Sequence, residues 1–468
     1  MFDSGDTILI IGLGRSGQAS AQVLRARGAR VVAVDEKPRE QLQQAIAYVE
    51  SLGAVFIEPA ALPSVERELT LAVLSPGVPL NGPLVRAVQN ANVPVYSEIE
   101  VAYRLCKAPV VAVTGTKGKS TTTSLVGHLL RTAGKEVRVG GNIGNPLIAE
   151  VGGTAPDQWV VAEVSSFQLE AIRSFHPRIS VILNISPDHL DRYFSIDEYA
   201  EAKYRIFANQ SERDFFIGNL DDPRVAELHW LKTSAEVRVH ARQLWFTLAQ
   251  AHRDASMYVQ RGVITYAPFR GDPRPVEIMP VAEIPLAGPH NVCNVMAALL
   301  AALAADCDPV QLRQGVRSFS AMAHRLQPVA TIGGVLFVDD SKATNPGSVI
   351  AALQSYDRPI VLIAGGKSKN TDFTELGRAI DARVKTLVTI GETAEELAAH
   401  VYRTPIEPAV SMEDAVQRAA RHAAPGAVVL LSPACASFDM FASAEDRGTQ
   451  FIAAVHGLTD HSPSGAGR

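Results

Sequence analysis

Cysteine is scarce in this chain of 468 residues, and long apolar runs are missing. No two cysteines form a CxxC pair, and the four lie scattered at Cys106, Cys293, Cys307 and Cys435. This pattern argues against a disulfide scaffold or a structural zinc site. The longest apolar run, residues 295–305, is rich in alanine and ends at Asp306, so it is too short to span a bilayer.

The chain also lacks a secretory signal and an excess of positive charge. Its start, MFDSGDTILIIG, has no basic segment followed by a long apolar stretch, so we expect a cytoplasmic location and no membrane contact. Lys and Arg number 44 against 49 Asp and Glu, which gives a net charge of −5. This balance excludes a broadly basic nucleic-acid binder, and we expect no nucleic-acid partner.

Short β-branched runs alternate with helical stretches along most of the chain. This pattern is typical of parallel sheets covered by helices on both faces, so we predict an α/β protein. The predicted strands are Thr7–Ile11, Arg30–Val34, Leu71–Leu74, Ala108–Val113, Trp159–Val164, Ile179–Asn184, Arg358–Ile363, Thr386–Ile390 and Ala427–Leu431. They fall into three sets, which predict domains over residues 1–98, 99–321 and 322–468.

Residues 242–285 differ from this pattern. Short alternating runs such as Met257–Val259 and Val263–Tyr266 are separated by Gly and Pro, which predicts a small antiparallel insertion in the central domain. The Ser-, Gly- and Pro-rich tail, residues 461–468, is expected to be disordered.

The segment VTGTKGKSTT, residues 113–122, follows an apolar strand and precedes a predicted helix that begins near Lys119. Glycines let backbone N–H groups turn toward phosphate oxygens, while the helix N-terminus and Lys119 add positive charge. Ser120 or Thr121 can bind Mg²⁺. The usual P-loop has a glycine where this chain has Val113, so the segment is a variant phosphate-binding loop.

Carboxylates follow two neighbouring predicted strands, at the edge where an α/β sheet binds its ligands. Glu163 ends one strand, and Asp188 and His189 follow another. Because Mg²⁺ needs oxygen ligands beyond a loop hydroxyl, these residues are candidate metal ligands.

A second glycine-rich loop, Gly12-Leu13-Gly14-Arg15-Ser16-Gly17, follows the first strand, and Asp35 closes the second strand 18 residues after Gly17. This spacing fits the dinucleotide fingerprint, but such a loop cradles any diphosphate, including that of a UDP-sugar. The segment Ser75-Pro76-Gly77 ends a later strand and is expected to line the same crevice. A purely structural role for the glycines, in close strand–helix packing, is the alternative.

Together these segments resemble the Mur ligases, ATP-dependent enzymes that form amide bonds in peptidoglycan precursor synthesis. The similarity spans nearly the whole chain and includes TGTKGKSTT (114–122), GGNIG (140–144), EVSSFQLE (163–170), NISPDHLDRY (184–193), EYAEAKYRIF (198–207), GPHNVCN (288–294) and HRLQ (324–327). DDSKATN (339–345) and LSPACAS (431–437) resemble the members that add D-glutamate to UDP-N-acetylmuramoyl-L-alanine. No DNPR-type motif of the diamino-acid-adding members is present.

The resemblance implies a Rossmann-like UDP-binding domain, a central P-loop ATPase-like domain with a parallel and a small antiparallel sheet, and a Rossmann-like C-terminal domain. It implies ATP and two Mg²⁺ ions as cofactors, with catalytic and metal-binding roles for Lys119, Ser120, Glu163, His189 and Lys203. The lysine at the Lys203 position is carbamylated by CO₂ in the family. A carbamate supplies an oxygen ligand where an ammonium would repel the metal.

The same resemblance implies three sets of binding residues. The ATP set is Gly115, Thr116, Lys117, Gly118, Lys119, Ser120, Thr121, Asn291, Asn294, Arg325 and Asp340. The UDP-substrate set is Gly14, Arg15, Ser16, Asp35, Glu36, Lys37, Ser75, Pro76, Gly77, Asn142 and His189. The D-glutamate set is Lys342, Thr344, Ser437 and Phe438. Ala444 departs from the aromatic residue more common in the family, and two alternatives are open: this side of the pocket is wider, or Phe438 or Phe441 replaces the aromatic residue.

Other functions remain open on the sequence. One is a different amino-acid-adding Mur ligase or a folate polyglutamate ligase, which DDSKATN disfavours. Another is an NAD(P)-dependent oxidoreductase built on GLGRSG and Asp35, which leaves GTKGKST unexplained. A third is a non-catalytic nucleotide-binding scaffold. The partners expected are small molecules, and the protein is expected to be a monomer.

Overall fold

The computed structural model describes residues 2–188, 192–230, 238–249, 254–267, 275–320, 323–367 and 372–458. The predicted disordered tail lies outside these ranges. The chain forms two compact units, one from residues 1–283 and 293–319 and the other from residues 284–292 and 320–468. The first unit holds two of the three sheets and the second unit holds the third. No helix in the described ranges is long and apolar enough to cross a bilayer.

The first sheet is parallel and has the order β3-β2-β1-β4-β5. Its strands are β1 (Thr7–Ile11), β2 (Arg30–Val34), β3 (Val55–Phe56), β4 (Leu71–Leu74) and β5 (Val95–Ser97). The helices beside it are α1 (Arg15–Ala26), α2 (Arg39–Ser51), α3 (Pro83–Asn90) and α4 (Glu98–Leu105). The strand order reverses between β1 and β4, so a crevice opens there at the carboxyl ends of the strands.

The central sheet has nine strands in the order β14-β13-β12-β11-β10-β9-β6-β8-β7. They are β6 (Val110–Thr114), β7 (Val137–Gly141), β8 (Trp159–Glu163), β9 (Ile179–Ile182), β10 (Phe215–Asn219), β11 (Arg242–Thr247), β12 (Met257–Gln260), β13 (Val263–Tyr266) and β14 (Val276–Pro280). The helices of this region are α5 (Lys119–Thr132), α6 (Leu147–Glu150), α7 (Ser166–Glu170), α8 (Ile196–Tyr204), α9 (Pro223–Trp230), α10 (Pro289–Ala304) and α11 (Pro309–Ser318).

The region from residue 242 is only partly antiparallel. Strands β12, β13 and β14 pair antiparallel with one another, in agreement with the predicted insertion. Strand β11 instead pairs in parallel with β10, and β12 pairs in parallel with β11. The antiparallel strands therefore extend the large sheet and do not form a separate one.

The second unit carries a six-stranded sheet in the order β15-β16-β20-β17-β18-β19. Its strands are β15 (Gln327–Ile332), β16 (Val335–Asp339), β17 (Ile360–Gly365), β18 (Val384–Ile390), β19 (Ile406–Pro408) and β20 (Val428–Leu431). Its helices are α12 (Pro346–Leu353), α13 (Thr374–Arg383), α14 (Ala394–Ala398), α15 (Met412–His422) and α16 (Ala444–Gly457). Only the β15–β16 pair is antiparallel among the described strand pairs of this sheet.

The N-terminal and central sheets share one hydrophobic core. A single cluster of buried side chains runs from Ile8 and Leu24 through Ile99 and Leu147 to Phe175. Helix α4 contributes Ile99 and its neighbours to this cluster, and two of its carboxylates are fully buried. Glu100 accepts hydrogen bonds from the backbone N–H groups of residues 173–175, which ties the helix to the central domain. This shared core explains why the two sheets belong to one unit.

The other buried carboxylate of α4, Glu98, is expected to make stability depend on pH. Burial raises its pKa to about 7, partly offset by hydrogen bonds from the Ile148 N–H and the Gln168 side chain. The stabilisation from the protonated carboxyl is complete below its unfolded pKa of about 4.5 and is lost as the pH rises to about 7. The wild-type free energy of unfolding should therefore fall by up to about 3 kcal/mol over this interval, and Glu98→Gln should not show this fall.

Urea unfolding of the wild type and Glu98→Gln between about pH 5 and pH 8 measures this difference. Glu40→Gln, on the exposed face of α2, is the control and should follow the wild type. If the wild-type and Glu98→Gln curves run parallel across the interval, Glu98 is not the group responsible.

Candidate active site

The predicted phosphate loop lies between the carboxyl end of β6 and the first turn of α5. Gly115 has φ +152° and Gly118 has φ +82°, backbone conformations that residues other than glycine rarely adopt. Gly118 is the N-cap of α5, and Lys119, Ser120 and Thr121 form the first turn. The loop therefore directs backbone N–H groups and a helix N-terminus toward one point, which suits a phosphate group.

Asn184, just beyond β9, holds the phosphate loop in shape. Its Oδ1 accepts from the Lys117 N–H at 2.8 Å, and its Nδ2 donates to the Lys117 carbonyl at 3.1 Å. Its backbone carbonyl accepts from the Thr116 N–H at 2.9 Å. Asn184 was given no role on the sequence. The available signal was its place at the end of the predicted apolar strand Ile179–Asn184.

Two lysines meet at one carbonyl of this loop. Lys119 Nζ donates to the Gly115 carbonyl at 2.9 Å, and Lys203 Nζ donates to the same oxygen at 3.0 Å. Lys203 is only 1% exposed and lies 4.4 Å from the centre of the Tyr199 ring. Burial, reinforced by the charge of Lys119, holds the pKa of Lys203 well below its ordinary value, although Asp188 and Glu163 oppose this shift. The site thus favours a neutral amine at Lys203.

Glu163 ends β8, in register with Val113 of the loop strand. Its carboxylate is 2% exposed; Oε1 accepts from the Asn142 side chain at 2.8 Å, while Oε2 is buried with no hydrogen-bond partner among the described residues. A buried, unpartnered carboxylate oxygen is costly unless a ligand satisfies it, so the residues present fit a cation such as Mg²⁺. In the described part of the chain no three His, Cys, Asp or Glu side chains are placed to hold a metal ion together, so other oxygen donors would have to complete such a site.

Two side chains predicted to bind the UDP-linked substrate, Ser75 and Asp35, hold the N-terminal glycine loop in shape. Ser75 Oγ donates to the Gly12 carbonyl at 2.7 Å, and the Leu13 N–H donates to Asp35 at 2.7 Å. A Cβ at Gly17 would lie 1.9 Å from the Gly12 carbonyl oxygen, so close strand–helix packing alone requires this glycine. Gly17 therefore has a structural role, which is part of what the alternative interpretation of this glycine loop predicts.

Most of the remaining predicted UDP-substrate residues lie just beyond the carboxyl ends of strands in the first sheet. Gly14, Arg15 and Ser16 form the start of α1, Glu36 and Lys37 follow β2, and Pro76 and Gly77 follow β4. Arg15 donates to the Gly144 carbonyl at 2.6 Å, which joins this loop to the GGNIG segment that carries Asn142. The first unit thus brings together most of the predicted UDP-substrate set, while His189 lies outside the described residues.

The second unit holds the predicted amino-acid site. Lys342 and Thr344 follow β16, and Lys342 Nζ lies 3.2 Å from the Glu445 carboxylate. Ser437, beyond β20, is buried, whereas Phe438 is 68% exposed. Phe441 packs in the hydrophobic core, so Phe438 rather than Phe441 is available to stand in for an aromatic residue at position 444.

The predicted nucleotide residues divide between the two units. Asn294 belongs to the first unit and lies against the phosphate loop, since a Cβ at Gly118 would be 2.3 Å from Asn294 Oδ1. Asn291, Arg325 and Asp340 belong to the second. Asp340 accepts from the Ser432 hydroxyl at 2.8 Å, and burial raises its pKa to about 7.

The fold and the phosphate loop define a nucleotide-binding α/β enzyme. Three family models match the chain: the MurD-like N-terminal domain of Mur ligases over residues 6–97, the Mur ligase middle domain over 113–302, and the Mur ligase glutamate ligase domain over 324–435. The chain belongs to the Mur ligase family.

Two relatives and two solved structures illustrate this membership. The UDP-N-acetylmuramoylalanine–D-glutamate ligase of Koribacter versatilis is 42% identical over 97% of this chain and 98% of its own. That of Pelotomaculum thermopropionicum is 43% identical over 95% and 96%. MurF from Acinetobacter baumannii (TM-score 0.61, 18% identity, 95% and 93% covered) shares the fold. So does MurC from Thermotoga maritima (TM-score 0.58, 18% identity, 97% and 99% covered).

A methyl group at Gly118 should disable the phosphate loop. Gly118→Ala places a Cβ against Asn294 and forces alanine into a left-handed conformation that costs about 1–2 kcal/mol. We expect nucleotide affinity to fall at least about tenfold, measured by titration calorimetry with Mg-ATP. Gly134→Ala, just beyond the other end of α5, is the control, because Gly134 has φ +79° but open space around it. Equal losses in both variants would contradict a specific role for the loop.

Proposed function

We propose that this protein is the ATP-dependent ligase that adds D-glutamate to UDP-N-acetylmuramoyl-L-alanine, a cytoplasmic step of peptidoglycan precursor synthesis. The observation that carries the proposal is the full-length similarity, above 40% identity, to relatives named for this reaction. The phosphate loop, the buried lysine beside it and the unpartnered Glu163 oxygen support it, because each suits phosphoryl transfer from ATP.

The chemistry needs an activated carboxyl group, because an amine does not attack a free carboxylate at a useful rate. The L-alanyl carboxylate attacks the γ-phosphate of ATP, which breaks the bond to the β–γ bridging oxygen and gives an acyl phosphate and ADP. The neutral D-glutamate amine then attacks the acyl carbon through a tetrahedral intermediate, loses a proton, forms the amide bond and releases phosphate. The phosphate-loop N–H groups and Lys119 bind the transferring phosphoryl group and offset its developing negative charge.

Ser120 and Glu163 would hold Mg²⁺, with His189 and Lys203 at a second site. Mg²⁺ supplies positive charge that neutralises the phosphate oxygens when it is bound. The buried Oε2 of Glu163 supports its part in this set, and Asn142, which donates to Oε1, would orient the carboxylate as well as contact the UDP-linked substrate.

The environment of Lys203 supports carbamylation. Only a neutral amine reacts with CO₂, and burial beside Lys119 favours the neutral form. The carbamate would place a negative oxygen ligand at the loop, where an ammonium would be a second positive charge beside Lys119. It would create the charge that a metal ion requires.

The acceptor and the UDP-linked substrate would bind at separate loops. Lys342 is suited to a D-glutamate carboxylate, because its partly exposed ammonium is a positive charge that can pair with a carboxylate, as it does with Glu445 at 3.2 Å. Thr344, Ser437 and Phe438 would complete the amino-acid site, and Asn291, Arg325 and Asp340 are assigned to ATP.

The crevice between β1 and β4 would take the UDP-sugar diphosphate at the N-terminus of α1. The domain boundaries near residues 98 and 321 and a monomeric state are part of the same proposal.

The direct test is phosphate release with Mg-ATP and UDP-N-acetylmuramoyl-L-alanine, across a panel of D- and L-amino acids. We expect turnover with D-glutamate alone. Turnover with another amino acid would keep the ligase chemistry but contradict the acceptor assignment. Absence of turnover with every acceptor, despite ATP binding, would favour a non-catalytic scaffold.

A second test concerns Lys203. Lys203→Ala should abolish turnover while leaving thermal unfolding close to the wild type, and CO₂-depleted buffer should lower wild-type activity reversibly. A ¹³C NMR carbamate signal, present with ¹³CO₂ in the wild type and missing in the variant, would identify the modified residue. Lys385→Ala, on the exposed face of β18, is the control. Full activity of Lys203→Ala in CO₂-depleted buffer would rule out the carbamate.

A further inference from the structure

Arg447, in the second turn of α16, is fully buried in the C-terminal domain. It forms no ion pair among the described residues. Burial lowers its pKa to about 10, with Asp339 and Asp439 only partly opposing this shift, so the guanidinium stays charged at neutral pH. Removing a charge from water without a paired carboxylate is costly, and a well-packed apolar side chain would avoid that cost. None of the chemistry proposed above uses Arg447.

The guanidinium of Arg447 binds backbone carbonyls on both loops of the amino-acid site. Nη2 donates to the carbonyl of Ser341 at 2.8 Å and to that of Cys435 at 3.1 Å, and Nη1 donates to that of Ala436 at 3.3 Å. Ser341 directly precedes Lys342, and Ala436 directly precedes Ser437. One rigid planar group therefore fixes the two loops relative to each other.

Close packing around two glycines leaves this arrangement little freedom. A Cβ at Gly448 would lie 2.4 Å from Ser341 Oγ and 2.6 Å from Asp339 Oδ2, so α16 presses directly on the loop after β16. A Cβ at Gly366 would lie 2.3 Å from the Ala436 carbonyl oxygen and 3.2 Å from Arg447 Nη1. The loop after β17 thus closes over the same guanidinium, and the Lys367 N–H adds a bond to the Ala436 carbonyl at 2.8 Å.

We propose that Arg447 is a positioning residue that sets the distance between the Lys342 and Ser437 sides of the acceptor site, and so determines affinity for the acidic amino acid. The inference rests on the proposed function of that site. Arg447 does not touch the substrate, and it acts through the carbonyls that precede Lys342 and Ser437. An arginine suits this task because its fork of N–H donors can hold three carbonyls at once, whereas a lysine offers a single point of attachment.

The test compares Arg447→Lys and Arg447→Met by steady-state kinetics in the full-length protein. We expect the KM for D-glutamate to rise about tenfold or more in Arg447→Lys and further in Arg447→Met, because small displacements of positioning groups cost large factors. The KM values for Mg-ATP and for UDP-N-acetylmuramoyl-L-alanine should change less than about twofold. Thermal unfolding of each variant, followed by circular dichroism, reports separately on the fold.

Arg383→Lys is the matched control, because Arg383 lies in the same unit and donates to the carbonyls of Leu353 and Tyr356 away from the acceptor loops. It should leave the KM for D-glutamate unchanged. Equal rises in all three KM values, an unchanged KM for D-glutamate, or failure of both Arg447 variants to fold would overturn the positioning role. If the wild type itself does not use D-glutamate, the proposed function fails, which is a distinct result.

Discussion

The Gly115 carbonyl accepts hydrogen bonds from two lysine side chains, and this crowding shapes the electrostatics of the phosphate loop. Two ammonium groups at one oxygen repel each other, and burial makes the repulsion stronger because little water screens it. The arrangement is relieved when one lysine is neutral and when anions occupy the loop. A loop that suits a phosphate group and a lysine whose pKa is lowered by burial therefore meet at this one oxygen.

Some polar side chains near the strand ends support loops by hydrogen bonds to their backbone, beside the residues that we propose bind substrates or metal. Asn184 holds the phosphate loop, while Ser75 and Asp35 hold the N-terminal glycine loop. Arg447 does the same between the loops of the C-terminal domain. In each case a polar side chain satisfies backbone atoms that a tight loop leaves without partners. A polar residue after a strand is therefore as well explained by loop support as by ligand contact.

The sequence predicted the fold class, nine of the parallel strands and the helix that begins at Lys119, because these depend on local apolar runs and on glycine and capping patterns. It did not predict that β11 pairs in parallel, since a short alternating run does not specify its neighbour. Strand pairing and the sharing of one core by the first two sheets depend on contacts between distant segments.

For the site, the sequence by itself determined which residue types stand at which strand ends, and the family resemblance suggested their roles. Only the tertiary structure decided that Lys119 and Lys203 share one carbonyl, that one oxygen of Glu163 is left without a partner, and that Arg447 joins two loops. Nothing local marks Arg447, because an arginine in the second turn of a helix is ordinarily exposed. Burial, and the interactions that burial requires, arise only when separate elements of the chain pack together.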